Sequence, residues 1–306
     1  MKKIYKIVFL LIPYGLSLIT YSFSQIAPAI EWQNTIGGSS TELLYDIKQS
    51  SDGEYFLGGY SHSNISGDKT EDSWNNTFDY WIVKADSLGD IQWQNTIGGT
   101  ASDMLLSVQQ TADGGYILGG FSNSDISGDK TENSMAVDYW IIKTDPIGNI
   151  QWQNTIRAGN QDHLYYIQQT TDGGYILGGN TASDSSGDKT ENCNGGIDGW
   201  IIKTDSSGTI QWQNTIGGDN NDLITSLQQT VDGGYIIGAA SNSNISGDKT
   251  ENSNGDYDCW IIKTDSLGTI QWQNTIGGNG GDGVISILQT TDGGYIFGGY
   301  SSSNIS

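Results

Sequence analysis

Apolar and polar residues alternate along most of this chain in short runs, and the runs return at a fixed interval. The clearest is IQWQNTI at residues 270–276. In an extended chain Ile270, Trp272, Asn274 and Ile276 face one way, and Gln271, Gln273 and Thr275 the other. WIIKT precedes it, joined by a turn that starts at Asp265 and has Gly268 as its fourth residue. Asp as side-chain acceptor and Gly at the fourth place fit a type I turn, and Asp86, Asp145 and Asp205 start the same turn in sister copies. Two further strands stand upstream, Leu105 to Thr111 (or Leu164 to Thr170) and Gly115 to Gly120, joined by an Asp113-Gly114-Gly115 hairpin signal. The second is almost continuously apolar, which suits a strand buried on both faces. A long polar loop, Ser241 to Asp258 in the fourth copy, links second strand to third.

Trp32, Trp93, Trp152, Trp212 and Trp272 mark the repeat at spacings of 61, 59, 60 and 60 residues. A fixed period means one supersecondary unit stacked on copies of itself. Four short strands per unit predict an all-β fold, a β-propeller of ~60-residue four-stranded blades. A β-solenoid would not need two tight hairpins per unit. Units run at about 39–98, 99–158, 159–218 and 219–278, with a partial one at 279–306. Ile30 to Gly38 reads as a fourth strand with no first three before it. Four whole blades and a partial fifth predict an incomplete ring, as in a truncated product or fragment, because a gapped ring exposes strand edges.

GYxLGGxS, D-x-W-I-x-K-x-D, S-x-G and W-x-N-T-I-G-G together resemble the seven-bladed β-propeller (SBBP-type) repeats of secreted bacterial proteins, as found in type IX-secreted proteins of Bacteroidota. More loosely they resemble the tryptophan-docking units of quinoprotein-like propellers. The resemblance spans nearly all of residues 30–306 and implies a propeller without implying a particular function.

Charge and export narrow the partners. The net charge is −22, and removing a leader that holds Lys2, Lys3 and Lys6 leaves 10 basic and 35 acidic side chains, about −25. Such a surface repels nucleic acid and anionic lipid and attracts cations. Residues 1–24 read as a secretory signal peptide, with an apolar stretch from Ile7 to Thr20 and small residues Ser22 and Ser24 before the cut. Pro13 and Gly15 interrupt the stretch, which is short for a membrane span. A secreted or cell-surface protein with a 25–306 repeat domain and no membrane span after cleavage is expected.

Acidic residues recur in the long loops: Asp68 and Glu71, Asp129 and Glu132, Asp188 and Glu191, Asp248 and Glu251. Oxygen ligands of this kind are what Ca²⁺ takes, so these are the candidate calcium loops. The EF-hand spacing is not met, and the competing reading is a turn in which Lys69, Lys130, Lys189 and Lys249 pair locally with Glu. The Asp turn partly resembles the Asp-box of sialidases, but Arg157 is the single arginine and that chemistry needs a cluster. His62 and His163 stand at unrelated places and read as surface or loop substitutions, against a metal site or a catalytic triad. Cys193 and Cys259 could oxidise in an exported protein, though their places in the repeat differ. Trp93 and its equivalents read as inter-blade packing, with Tyr80, Tyr139 and Trp74 the better candidates for exposure.

The expected function is a non-enzymatic scaffold for adhesion or for binding an extracellular glycan or protein, with no catalytic residues and no cofactor beyond possible Ca²⁺. A polysaccharide hydrolase or lyase using Asp103, Asp162, Asp222 and Asp282 is one alternative. A structural fragment of a larger secreted protein is the other.

Overall fold

The computed structural model describes residues 29–50 and 53–304. The expected signal peptide lies outside the described residues. The chain divides after Gln33, and everything below concerns the part from Asn34 on.

That part is all-β. Blade one holds β1 (Glu42–Gln49), β2 (Tyr55–Ser61), β3 (Asp79–Ala85) and β4 (Ile91–Ile97). Blade two holds β5 (Asp103–Gln110), β6 (Tyr116–Ser122), β7 (Asp138–Thr144) and β8 (Ile150–Ile156). Blade three holds β9 (Asp162–Gln169), β10 (Tyr175–Thr181), β11 (Asp198–Thr204) and β12 (Ile210–Ile216). Blade four holds β13 (Asp222–Gln229), β14 (Tyr235–Ser241), β15 (Asp258–Thr264) and β16 (Ile270–Ile276), and a partial fifth holds β17 (Asp282–Gln289) and β18 (Tyr295–Ser301). Within each blade the strands pair in chain order, antiparallel throughout. The fold is a β-propeller type of four whole blades and a partial fifth. Among the described residues no helix is long and apolar enough to cross a membrane.

Alternation gives each sheet two apolar faces, and each face packs on the neighbouring blade. Between blades one and two, Phe56, Tyr80, Ile82 and Ile97 meet Leu105, Val108, Leu118 and Trp140. The next two junctions repeat the arrangement with Trp200 and Trp260. Each such tryptophan is fully buried, worth about 2–3 kcal/mol of transfer free energy. Trp93, Trp152 and Trp212 pack against these clusters, as the repeat pattern suggests.

Several expectations are corrected. Residues 34–38 form no strand, because a fourth strand pairs only with a third and among the described residues no such strand lies beside them. Asn34 still donates to the Gly89 carbonyl at 3.0 Å, as Asn95 does to Gly148 and Asn154 to Gly208. Ile270 faces away from Trp272: the fourth strand is bulged at Gln271, so its first residue packs on the preceding blade. Tyr80 and Tyr139 are not exposed but fully buried, their hydroxyls donating to the Trp140 and Trp200 carbonyls. Trp74 is exposed.

Candidate functional site

The strongest departure from regular pairing is a second bulge, in the first strand of every blade. The register slips at Tyr45, Leu106, Tyr165, Thr225 and Ile285. Two residues then oppose one, and the extra side chain is re-aimed. The pattern is written in the sequence: the inward apolar residues are three apart, as in Leu105 and Val108 or Leu164 and Ile167, where an unbroken strand would place them two apart. The spacing was legible, but strand reasoning alone assumes unbroken alternation.

The bulge turns a main-chain N–H toward the preceding blade, which satisfies it. Val108 N donates to the Asp46 carboxylate at 3.0 Å, Ile167 N to the Ser107 hydroxyl at 3.3 Å, and Ile287 N to the Ser226 hydroxyl at 3.1 Å. Such bonds cross three of the four blade junctions, and Tyr166 stands in the acceptor's place at the fourth, while the bulged side chain varies among the copies.

Blades one to three carry aromatic rings at and beside these positions. Tyr45 is 52% exposed and Tyr165 39%. Tyr45 stacks on Tyr60 at 5.4 Å. His163 lies 4.4 Å from Phe121 and 6.2 Å from Tyr165. Burial first, and then the Tyr45 phenol, raise the Tyr165 pKa. His163 is therefore a half-buried strand residue rather than a surface or loop substitution, and burial lowers its pKa. His62 follows β2, its Nδ1 3.3 Å from the Ser40 hydroxyl.

The acidic loop residues are placed otherwise. Asp68, Asp129, Asp188 and Asp248 each accept from a main-chain N–H that ends the preceding repeat, those of Gly37, Gly98, Arg157 and Gly217. Glu71, Glu132, Glu191 and Glu251 each accept from a threonine N–H in the fourth strand of their own blade. The structure thus separates each Asp from its Glu by task. The buried Lys69 and Lys189 do not pair with the Glu carboxylate; each donates to the Glu main-chain carbonyl and to a threonine hydroxyl. Among the described residues no three His, Cys, Asp or Glu side chains gather as metal ligands.

Asp103, Asp162, Asp222 and Asp282 are buried at the head of the first strands. Asp103 accepts from the Gly99 N–H and the Ser124 hydroxyl at 2.7 and 3.0 Å. Burial pushes Asp103 and Asp162 up to about 6. Asp79, facing Asp103 across the junction, is pushed up to about 8, mainly by burial. These carboxyls are buried, and that of Asp103 is hydrogen-bonded within its own repeat. Cys193 and Cys259 are both free thiols. Cys193 donates to the Thr181 and Ser183 carbonyls, the place Ser73 takes in blade one.

No protein-family model and no curated protein matches the chain. Solved structures do resemble it distantly. A protein of unknown function from Bacteroides caccae is 10% identical with a TM-score of 0.32, covering 77% of this chain and 82% of its own. A thermostable family-43 glycoside hydrolase is 13% identical with a TM-score of 0.41, covering 88% and 87%. Cobalt-substituted Synechocystis ACO is 14% identical with a TM-score of 0.42, covering 79% of this chain. The chain spans about half the length of that protein, 52%. At these values none of the three carries a function to this chain.

Proposed function

We propose that this chain is a secreted or cell-surface, non-enzymatic binding scaffold that meets an extracellular glycan through its bulged first strands. One observation carries the reading: the bulged residue is of four kinds in five blades, Tyr, Leu, Tyr, Thr and Ile, on a backbone that repeats. A half-exposed phenol offers an apolar face and a hydroxyl together, the combination that suits a sugar ring. The carboxylates, in contrast, are spent on main-chain N–H groups, which speaks for binding rather than hydrolysis.

The test is affinity electrophoresis of the protein through gels containing neutral or acidic polysaccharides, with wild type, Tyr45→Ala and Tyr165→Ala compared. Retardation by at least one polysaccharide is expected, weakened about tenfold by either substitution, as for an aromatic anchor. Retardation untouched by both substitutions would sink the reading, as would none at all. Shortening of the polymer would replace it with an enzymatic one.

A further inference from the structure

Arg157 is the single arginine of the chain, and it stands where the other copies carry Gly37, Gly98, Gly217 and Gly277. Three of these glycines leave no room for a side chain. A Cβ on Gly98, Gly217 or Gly277 would stand 2.0, 2.2 or 2.1 Å from the Oδ1 of Asp79, Asp198 or Asp258. At Arg157 the turn takes a different partner. Gly99, Gly218 and Gly278 donate their N–H to the aspartate that heads the next first strand, Asp103, Asp222 and Asp282. Ala158 instead donates to Asp138 Oδ1, at the head of its own blade's third strand, at 2.9 Å. The repeat is thus rearranged at the junction where a long charged side chain leaves it.

That side chain lines a cleft of about 380 Å³ between blades two and three, together with Glu132, Asn154, Ile156, Asp188 and Ile210 among others. The half-exposed guanidinium is held from one side: Asp188 Oδ2 accepts from Arg157 N at 2.9 Å and from Nε at 3.4 Å. Among the described residues its terminal nitrogens donate to no group. Glu132 accepts from the Thr155 N–H through Oε2, and Asn154 donates to the Gly208 carbonyl through Nδ2. Among the described residues, Glu132 Oε1, Asp188 Oδ1 and Asn154 Oδ1 are left as open acceptors.

Open donors and open acceptors side by side narrow the occupant. An anion would meet the carboxylates of Glu132 and Asp188, and a cation would meet Arg157, each repelled by like charge. A hydroxyl donates and accepts at once. Neighbouring hydroxyls of one ring can therefore accept from the guanidinium while donating to the carboxylates. Ile156 and Ile210 add apolar surface for the C–H face of such a ring, and the volume is that of a small-molecule site.

We propose that this cleft binds a neutral sugar residue, with Arg157 as donor and Glu132 and Asp188 as acceptors. The site is separate from the bulged first strands and does not rest on them.

Saturation-transfer NMR of the full chain tests this, with the methyl glycosides of glucose, galactose, mannose and N-acetylglucosamine as neutral probes. Glucuronate serves as the anionic probe and glycine as the zwitterionic one. At least one neutral glycoside should bind at millimolar concentration, more tightly than either charged probe. Arg157→Gly restores the residue of the sister copies, and Glu132→Gln removes a charge while keeping an acceptor for the Thr155 N–H. Each should weaken binding about tenfold, as for a lost hydrogen bond to a charged group. Should Arg157→Gly disturb the turn, Glu132→Gln decides alone. Neither variant alters the bulged strands, so glycoside binding that survives both lies elsewhere and overturns the proposal. Absence of binding by every neutral probe overturns it as well. Tighter binding of glucuronate or glycine would do the same, by assigning the cleft to a charged ligand.

Discussion

Gly238 lies so close to Val284 that its missing Cβ would stand 2.6 Å from the valine Cγ1. The glycine is the hole into which the next blade's first strand fits. Gly238→Ala is therefore expected to destabilise the fold by about 1–3 kcal/mol through overpacking, measured by chemical denaturation. Gly298→Ala, with open space at the same position, is expected to leave stability within about 0.5 kcal/mol. Equal effects at the two glycines would refute the packing role.

The bulge frame makes a separate claim. Asp46 accepts from the Val108 N–H, which is buried with its residue. Asp46→Ala should cost about 1–3 kcal/mol, the price of leaving that donor without a partner. Asp46→Ser should recover part of it, since Ser107 and Ser226 accept the equivalent bonds one and three blades on. Denaturation midpoints of the three proteins decide the matter, and no recovery by serine would count against the frame.

Tyr139 bridges two blades through its hydroxyl, 3.3 Å from the Trp200 carbonyl. Its ring is buried against Trp200 with centroids 4.9 Å apart. Tyr139→Phe should keep the ring packing and lose about 1 kcal/mol, whereas Tyr139→Ala should lose about 3–5 kcal/mol. If phenylalanine and alanine were equally damaging, the hydroxyl would be the whole of the contribution and the packing none of it.

Acidity should stabilise this protein. Burial raises Asp103, Asp162 and Asp198 to about 6 and Asp79 to about 8. An unfolded aspartate titrates near 3.8, so between that value and the raised ones the folded chain holds more protons than the unfolded chain. Stability then falls as pH rises through this window. The melting midpoint is expected to be higher at about pH 5 than at about pH 8. Asp103→Asn should flatten part of the slope near 6. A midpoint that rises with pH across the window would contradict the burial of these carboxyls.

Calcium offers a direct check on the acidic loops. Asp129 and Glu132 are engaged by the N–H groups of Gly98 and Thr155, and the other blades repeat this. Thermal unfolding followed by tryptophan fluorescence is expected to give the same midpoint in EDTA and in excess Ca²⁺. A midpoint that climbs with Ca²⁺ would show linkage of the metal to the folded state and make these loops metal sites after all.

What could be read without coordinates was whatever repeats locally. The period, the four strands per unit, the Asp turns and the burial of the second strand follow from binary pattern and turn chemistry, which neighbouring residues in the chain determine. Even the first-strand bulge leaves a trace there, in the three-residue spacing of Leu44 and Ile47. The tertiary structure alone decided the rest. Tyr80 and Tyr139 look exposable beside a polar loop, yet the next blade covers them. Ile270 turns away from Trp272 because a bulge stands between them. The acidic loops read as repeated carboxylates, and only the fold shows which N–H groups of the preceding repeat and of the fourth strand they accept from. For the tyrosines and the acidic loops the deciding partner lies some 20 to 60 residues away in sequence, where neither alternation nor propensity reaches.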